Sequence, residues 1–416
     1  MAYGAVPLIW INYSCRWQKL TCSFIFLQTV PTDKYLLSSP LNRSASCMKK
    51  VAIVINTSWN IYNFRMGLIR ALQREGMEVW AIAPRDAYSA RLQEAGCHFV
   101  PVAMQGSAAN PLVEAGVFKE LYAAYRQVKP DVLLHYTIKP NLYGSVAARM
   151  LGIPCINNVS GLGTVFLNNS LVAKVARRMY RYAFRSPKKV FFQNPDDQGL
   201  FLRFGIVDPA ITEVIPGSGI DTGRFMPNGH HRGEEFTFLV ISRLLFDKGL
   251  VEFADAVRLL KQQGIKARFQ LLGAADPGHR RGIPLSVLDQ WVQEELIDYL
   301  GTTDQVLPHI HKADCIVLPS YREGTPRTLL EAASAAKPIV ATDVPGCNNV
   351  VTDGHNGFLC RVRDPRDLAD KMLKMYQLEE EHRLQLGRNS RKIAVERFDE
   401  RLVIERYLAT IREFAR

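Results

Sequence analysis

The chain has 416 residues, too many for one ordinary core, so two domains are expected. Its 47% hydrophobic and 22% charged residues exclude a disordered or fibrous protein, and its net charge of +12 asks for an anionic partner: nucleic acid, lipid headgroups or a phosphorylated substrate. The eight cysteines (15, 22, 47, 97, 155, 315, 347 and 360) contain no C-x-x-C pair. That disfavours zinc and redox-pair sites, and the length argues against a disulfide scaffold, leaving reduced thiols in a cytosolic protein.

Residues 1–47 mix aromatics, cysteines and polar residues without helical or strand periodicity. The apolar runs at 8–11 and 24–27 fall well short of the ~20 residues of a membrane span. Neither a basic n-region nor a small-residue cleavage site marks a signal peptide. Met48-Lys49-Lys50 then leads straight into a β-branched run, so the fold is expected to begin near Met48, with the extension an upstream start or a disordered arm. Runs at 51–57, 79–83, 98–102, 131–137 and 189–193 read as buried parallel strands. Amphipathic stretches at 64–74, 112–128 and 142–151 lie between them.

The alternation pauses at 215–219 and crosses a polar stretch at 227–235. It resumes with strands at 236–242, 269–272, 315–319, 339–342 and 358–362. The expected architecture is α/β, with two Rossmann-like domains, 48–220 and 236–397, whose parallel sheets face each other across a cleft. A last helix within 398–416, apolar at Leu402, Ile404, Tyr407, Leu408 and Ile411, is expected to pack back toward the first domain. Ligands of such sheets bind outside the carboxyl ends of the strands.

The most informative stretch is 315–342. A strand ends at Pro319, a loop carries Glu323 and Gly324, and a helix follows until Lys337-Pro338 stops it. Thr325 reads as the N-cap and Pro326 as the first helical residue. Gly324 would let the backbone approach a ligand, and free amides within the Thr325–Thr328 stretch, with the helix dipole, would favour an anion there. Glu323 and Glu331 sit at different depths along one wall, suited to the hydroxyls of a sugar and a ribose. As isolated residues they would be a loop charge and a solvated helix carboxylate.

In context the pair forms E-x7-E after a strand and across a helix start, which resembles the retaining family-4 glycosyltransferases of the two-Rossmann GT-B type, from Met48 to the C-terminus. Ser242-Arg243-Leu244-Leu245-Phe246-Asp247-Lys248-Gly249 is similar to the family's S/G-R-x-x-x-x-K-G element. The resemblance implies that Arg243 and Lys248, with Glu323, act on a nucleotide-diphosphate sugar, the two cations neutralising the diphosphate leaving group. It implies donor contacts from Glu331, Gly324, Thr325, Pro326, Arg327 and Thr328, and contacts to the nucleotide base from Gly301 and Asp304.

Four segments of the first domain, 62–65, 136–141, 158–163 and 191–194, look most like bacterial enzymes that extend undecaprenyl-diphosphate sugars. The 57–63 loop lacks the paired glycines common in the family, so Ser160, Gly161 and Gly163 are the expected cleft loop. Lys139 and Asn141 are expected at the acceptor side of the cleft. His135 is a further candidate, although aligning 138–141 with the family's H-E-P-N-like loop leaves it inside the strand.

Residues 173–189 hold Lys174, Arg177, Arg178, Arg181, Arg185, Lys188 and Lys189, with interleaved aromatics and no acid. A basic amphipathic helix reads as a membrane-surface element, aromatics among arginines as an RNA surface, and either competes with a solvated face. With the resemblance, an anionic bilayer and a polyprenyl-diphosphate acceptor are expected as partners and nucleic acid is not. The protein is then expected in the cytoplasm, peripheral on the inner face of the bacterial membrane. No D-x-D triplet occurs, so no metal and no cofactor beyond the nucleotide sugar is expected. The alternatives are a UDP-sugar 2-epimerase, a non-catalytic nucleotide-sugar-binding subunit and a nucleic-acid-binding protein.

Overall fold

The strands are rich in Val, Ile, Leu and Phe, and the central ones are buried on both faces, as parallel strands covered by helices must be. In the first sheet they are β1 (Lys50–Val54), β2 (Glu78–Ala83), β3 (His98–Pro101), β4 (Val132–Tyr136), β5 (Cys155–Val159), β6 (Lys189–Phe192) and β7 (Thr212–Val214), in spatial order 3-2-1-4-5-6-7. Among the described residues, the α-helices that accompany them are α1 (Ser58–Arg74), α2 (Ser89–Glu94), α3 (Pro111–Val128), α4 (Ser145–Leu151), α5 (Leu171–Ala183) and α6 (Pro195–Arg203). The computed structural model describes residues 49–104, 111–162, 171–229, 235–276 and 278–414. The extension 1–47, Met48, Gly163 and part of the polar stretch 227–235 lie outside them.

The second sheet runs 10-9-8-11-12-13, from β8 (Phe236–Ile241), β9 (Ala267–Leu272), β10 (Asp298–Tyr299), β11 (Cys315–Leu318), β12 (Ile339–Thr342) and β13 (Gly357–Cys360). Its helices are α7 (Leu250–Gln262), α8 (Leu285–Gln293), α9 (Leu307–Lys312), α10 (Arg327–Ser334), α11 (Pro365–Gln377) and α12 (Glu380–Arg397). All pairings in both sheets are parallel. The order reverses between β1 and β4 and between β8 and β11, which opens a crevice at the carboxyl end of each sheet.

α13 (Glu400–Phe414) leaves the second domain and packs on the first. Its Val403, Tyr407 and Ile411 are buried against the β1–β4 core, each such burial contributing about 1.5–3 kcal/mol. The Tyr407 hydroxyl accepts a 3.0 Å hydrogen bond from Asn158 Nδ2, and its ring packs edge-on to Phe191 at 4.9 Å.

Strands β5, β7 and β10 are additions to the sequence reading. β5 (CINNV) carries two asparagines and so hides its apolar run, while β7 and β10 are only three and two residues long. Helix α1 starts six residues earlier than its apolar periodicity shows, because Thr57 caps it by accepting from the Asn60 amide at 3.2 Å.

Candidate active site

Three β-ends and two helices meet at one cleft of about 550 Å³. Its second-domain wall comprises Ile241–Arg243 after β8, Leu272–Ala274 after β9, Thr302–Asp304 beyond β10, and Arg327, Thr328 and Glu331 of α10. Trp59, Asn63 and Phe64 of α1 form the opposite wall, and Arg224 and Phe225 of the interdomain connection close one end.

Two charges of the cleft pair with each other. Arg327 Nε donates to Glu331 Oε1 at 3.1 Å, one helical turn apart, and both side chains are largely buried. Burial pushes the Glu331 carboxyl up, and the Arg327 and Arg224 guanidinium groups oppose that shift. Burial likewise pushes Arg327 down against the support of Glu331 and Glu400. Arg327 also donates to the Gly219 carbonyl at 2.6 Å and lies over the Phe64 ring at 5.1 Å, so it ties α10 to the connection and to α1. Lys248 Nζ meets Glu323 Oε1 at 2.5 Å beside the cleft rather than on its wall, while Arg243 is exposed on the wall itself.

The loop from 319 to 326 rests on the first domain. Asn194 Nδ2 donates to the Gly324 carbonyl at 2.9 Å, Arg322 pairs with buried Asp197, and Thr325 Oγ1 donates to the Gln193 carbonyl at 2.8 Å. Two expectations change here. Thr325 does not cap the helix: its hydroxyl is drawn to Gln193, Pro326 becomes the flanking residue, and α10 begins at Arg327. Gly324 makes room for protein rather than ligand, since a Cβ there would lie 2.4 Å from the Ser160 carbonyl oxygen.

Among the residues expected at the nucleotide base, Gly301 has φ 72° and accepts from the Gly273 amide at 2.8 Å. Asp304 lines the cleft, yet its carboxylate accepts from the Tyr88 hydroxyl and lies 3.6 Å from Arg91, both on the first domain. Burial and Asp304 push the Tyr88 hydroxyl up, against Arg91 and the Trp59 side chain.

The acceptor-side expectations fare differently. His135 is fully buried in β4 and is a core residue, not a cleft residue. Its Nδ1 pairs with Asn157 Oδ1 at 3.0 Å and its Nε2 with Tyr125 Oη at 2.9 Å, a set that the neutral ring satisfies with its hydrogen on Nδ1. Asn141 is also buried, donating to the Asn158 carbonyl at 2.8 Å, so it braces β5 instead of reaching the cleft. Lys139 is held by Glu114 at 3.0 Å. Ser160 is exposed beside the Gly324 contact, Gly161 has φ 129°, and Gly163 lies outside the described residues.

The basic helix α5 divides in two. Arg181 donates to the carbonyls of Phe204 (2.6 Å) and Gly205 (3.0 Å), and Arg177 stacks over Phe204 at 4.6 Å, so both also hold the fold. Lys174, Arg178 and Arg185 are exposed, with Val175, Met179 and Tyr182 exposed among them. Among the described residues, no helix is long and apolar enough to cross a membrane.

Comparison with known proteins gives this geometry its family. Residues 50–194 match the family model described as Glycosyl transferase 4-like, and residues 235–378 the one described as Glycosyl transferases group 1. The chain belongs to these two-domain glycosyltransferases and is a transferase enzyme of the GT-B fold. It is 27% identical over 376 residues to the N,N'-diacetylbacillosaminyl-diphospho-undecaprenol alpha-1,3-N-acetylgalactosaminyltransferase of Campylobacter jejuni, covering 86% of this chain and 97% of that one. It is 23% identical to the UDP-Gal:alpha-D-GlcNAc-diphosphoundecaprenol alpha-1,3-galactosyltransferase of Escherichia coli, covering 74% of this chain and 86% of that one. In fold it is similar to Anabaena HepE, crystallised with UDP and glucose (TM-score 0.71, 19% identity, 87% of this chain and 99% of that one). A Rickettsia africae glycosyltransferase gives the same TM-score at 16% identity, covering 88% of this chain and 99% of that one. These matches do not favour the epimerase, binding-subunit or nucleic-acid readings.

Trp59, Asn63 and Phe64 were missed as cleft residues, as were Tyr88 and Arg91 beside them. Their signal was the aromatic cluster Trp59, Tyr62 and Phe64 immediately after β1, where the chain emerges at the carboxyl edge of the sheet.

Burial lowers the His135 pKa to about 4. Because the folded value lies below the unfolded one, ~6.5, the unfolded state takes up the proton first and stability falls as pH drops from about 6.5 toward 4. This single group should account for a loss on the order of 3 kcal/mol across that window. Denaturation of His135→Gln against the wild type should show a shallower acid slope in the variant; parallel slopes would mean that the ring is already charged in the folded protein.

Proposed function

We propose that the enzyme transfers a hexose or hexosamine, with retention, from a UDP-linked sugar to a hydroxyl of a polyprenyl-diphosphate-linked sugar during surface glycan assembly. The observation that carries the reading is the cleft itself, where Arg243, Arg327, Thr328 and Glu331 of the second domain face α1 of the first. The Campylobacter and Escherichia relatives, both named for action on diphospho-undecaprenol sugars, support the acceptor class, and the latter's name supports UDP.

In this reading Lys248 and Arg243 take the departing diphosphate, Arg243 as a bidentate fork and Lys248 as a point charge. Glu323 steadies Lys248 and faces the sugar; Glu331, set by Arg327, receives the ribose hydroxyls. The amides at the start of α10 add a positive dipole end for the phosphates. A diphosphate leaving as UDP carries its own base, its β-phosphate oxygen, which accepts the acceptor hydroxyl's proton. The two cations supply the charge that a D-x-D metal clamp supplies elsewhere, so catalysis proceeds without a bound metal.

Lys248→Ala and Glu331→Ala should each cost about 10²-fold or more in kcat/KM with the fold retained, as loss of a charge-assisted transition-state contact does. Rates within about twofold of wild type for both would refute these assignments. EDTA should leave turnover unchanged; strict dependence on added Mg²⁺ or Mn²⁺ would overturn the metal-free mechanism.

The lipid acceptor also gives α5 a role, docking on the anionic inner face of the cytoplasmic membrane. Each exposed Lys or Arg contributes roughly 1 kcal/mol at such a surface. Reversing Lys174, Arg178 and Arg185 to Glu, which leaves the Arg177 and Arg181 fold contacts in place, should release the enzyme from anionic vesicles and slow transfer to a long-chain acceptor. Transfer to a short soluble analogue should hold. Unchanged sedimentation with the vesicles would assign the helix to solvent.

A further inference from the structure

The two walls of the cleft differ in chemistry. On the second domain, Arg243, Arg327 and the start of α10 form the cationic end. The remainder of that wall is Leu272, Gly273, Ala274, Thr302, Thr303 and Val306, with Asp304, whose carboxylate is already held by Tyr88 and Arg91, as its charged member. On the first domain, the start of α1 is closed to anions: the Trp59 amide donates to Asp86 Oδ2 at 3.0 Å and the Asn60 amide to Thr57 at 3.2 Å. The Asp86 carboxylate occupies the place where a phosphate would have to sit. What this wall offers instead is aromatic. Trp59 is 42% exposed on the cleft and is braced edge-to-face by Phe64 at 5.1 Å and 84°.

Trp59 belongs to the Thr302–Asp304 end. Asp86 holds both the Trp59 amide and, at 2.8 Å through its other oxygen, the Tyr88 amide, and the Tyr88 hydroxyl reaches Asp304. Arg91, over the Tyr88 ring at 4.8 Å, meets the same carboxylate. These contacts, with that between the Trp59 and Tyr88 side chains, set the indole beside the Thr302–Asp304 edge, where the nearby Arg91 is already paired with Asp304.

The geometry points to Trp59 as the platform on which the donor's nucleobase stacks from the first-domain side, a positioning residue for the nucleoside end of the substrate. This rests on the nucleotide-sugar reading above. A flat heteroaromatic ring gains from an indole face, whereas a diphosphate at the same place would meet Asp86. The first domain thus takes part in donor recognition without touching a phosphate.

Titration calorimetry with UDP, GDP, ADP and inorganic pyrophosphate tests the assignment. Trp59→Ala should weaken the nucleoside diphosphate that the wild type binds by about 5–150-fold, the range for loss of one base stack, and leave pyrophosphate binding unchanged. Trp59→Phe should restore affinity to within about threefold, and Trp59→Leu, similar in bulk but without a π face, should behave like Ala. The donor KM should rise in Trp59→Ala while the acceptor KM holds. Nucleotide binding by Trp59→Ala within twofold of wild type, or an equal loss of pyrophosphate affinity, overturns the platform while leaving the transferase reading intact. A wild type that binds none of the three nucleotides overturns both.

Discussion

The contact on which the cleft depends is between two backbones: the Ser160 carbonyl of the first domain presses so closely on Gly324 of the second that no Cβ fits between them. Three neighbouring interactions share that footing, from Asn194 to the Gly324 carbonyl, from Thr325 to the Gln193 carbonyl, and between Arg322 and Asp197. A hydrogen bond of this kind contributes about 0.5–1.5 kcal/mol. The Arg322–Asp197 pair, with the Asp197 side chain fully buried, does more for registration than for stability, since its desolvation offsets most of its attraction. Burial pushes Asp197 up and Arg322 and Asn194 oppose it, so the carboxylate depends on the second domain for its partner. The loop bearing Glu323 is therefore shaped by the first domain, and opening the cleft at this point breaks all four contacts together.

Around that hinge of contacts two cations carry a carboxylate, Lys248 with Glu323 and Arg327 with Glu331. The two pairs do different things. Arg327 is additionally anchored to Gly219 and covered by Phe64, so its pairing orients Glu331 on the cleft wall. Lys248 is a single point charge on a flexible stem, and a diphosphate, with more charge and more acceptor atoms than one carboxylate, competes for it effectively. Lys248 in the turn before α7, Glu323 in the loop before α10 and the Arg327–Glu331 pair on α10 all lie at the carboxyl edge of the second sheet, which keeps the pairs within one site.

The alternation of strands and helices was legible because parallel strands buried on both faces need continuous apolar runs, and 51–54, 236–241 and 315–318 supply them. The Glu323–Glu331 spacing was legible because it straddles a strand end and a helix start. What escaped was decided by long-range partners. Nothing local in Thr325 reveals that its hydroxyl goes to Gln193, 132 residues away. Nor does Asn141 announce a bond to the Asn158 carbonyl. His135 looked like a cleft histidine because it sits near a strand end, but β4 runs one residue further and Tyr125, Ser145 and Asn157 enclose the ring. Trp59 was hidden for the opposite reason: α1 begins before its apolar periodicity does, so the aromatic edge read as a loop.

The division of labour between the domains follows from how two helix starts are capped. At α1, Thr57 and Asp86 satisfy the leading amides from within the protein, and the carboxylate among them makes that end of the cleft unfavourable for an anion. At α10 the residue best suited to cap, Thr325, is drawn away to Gln193, and Pro326 has no side-chain hydrogen bond to offer. The same cross-domain bond that seats the loop thus leaves the start of α10 without a side-chain cap, with its dipole directed at the cleft. One hydroxyl decides both outcomes. In the proposed reaction this leaves phosphate recognition to the second domain, and ring faces and the path to the acceptor to the first.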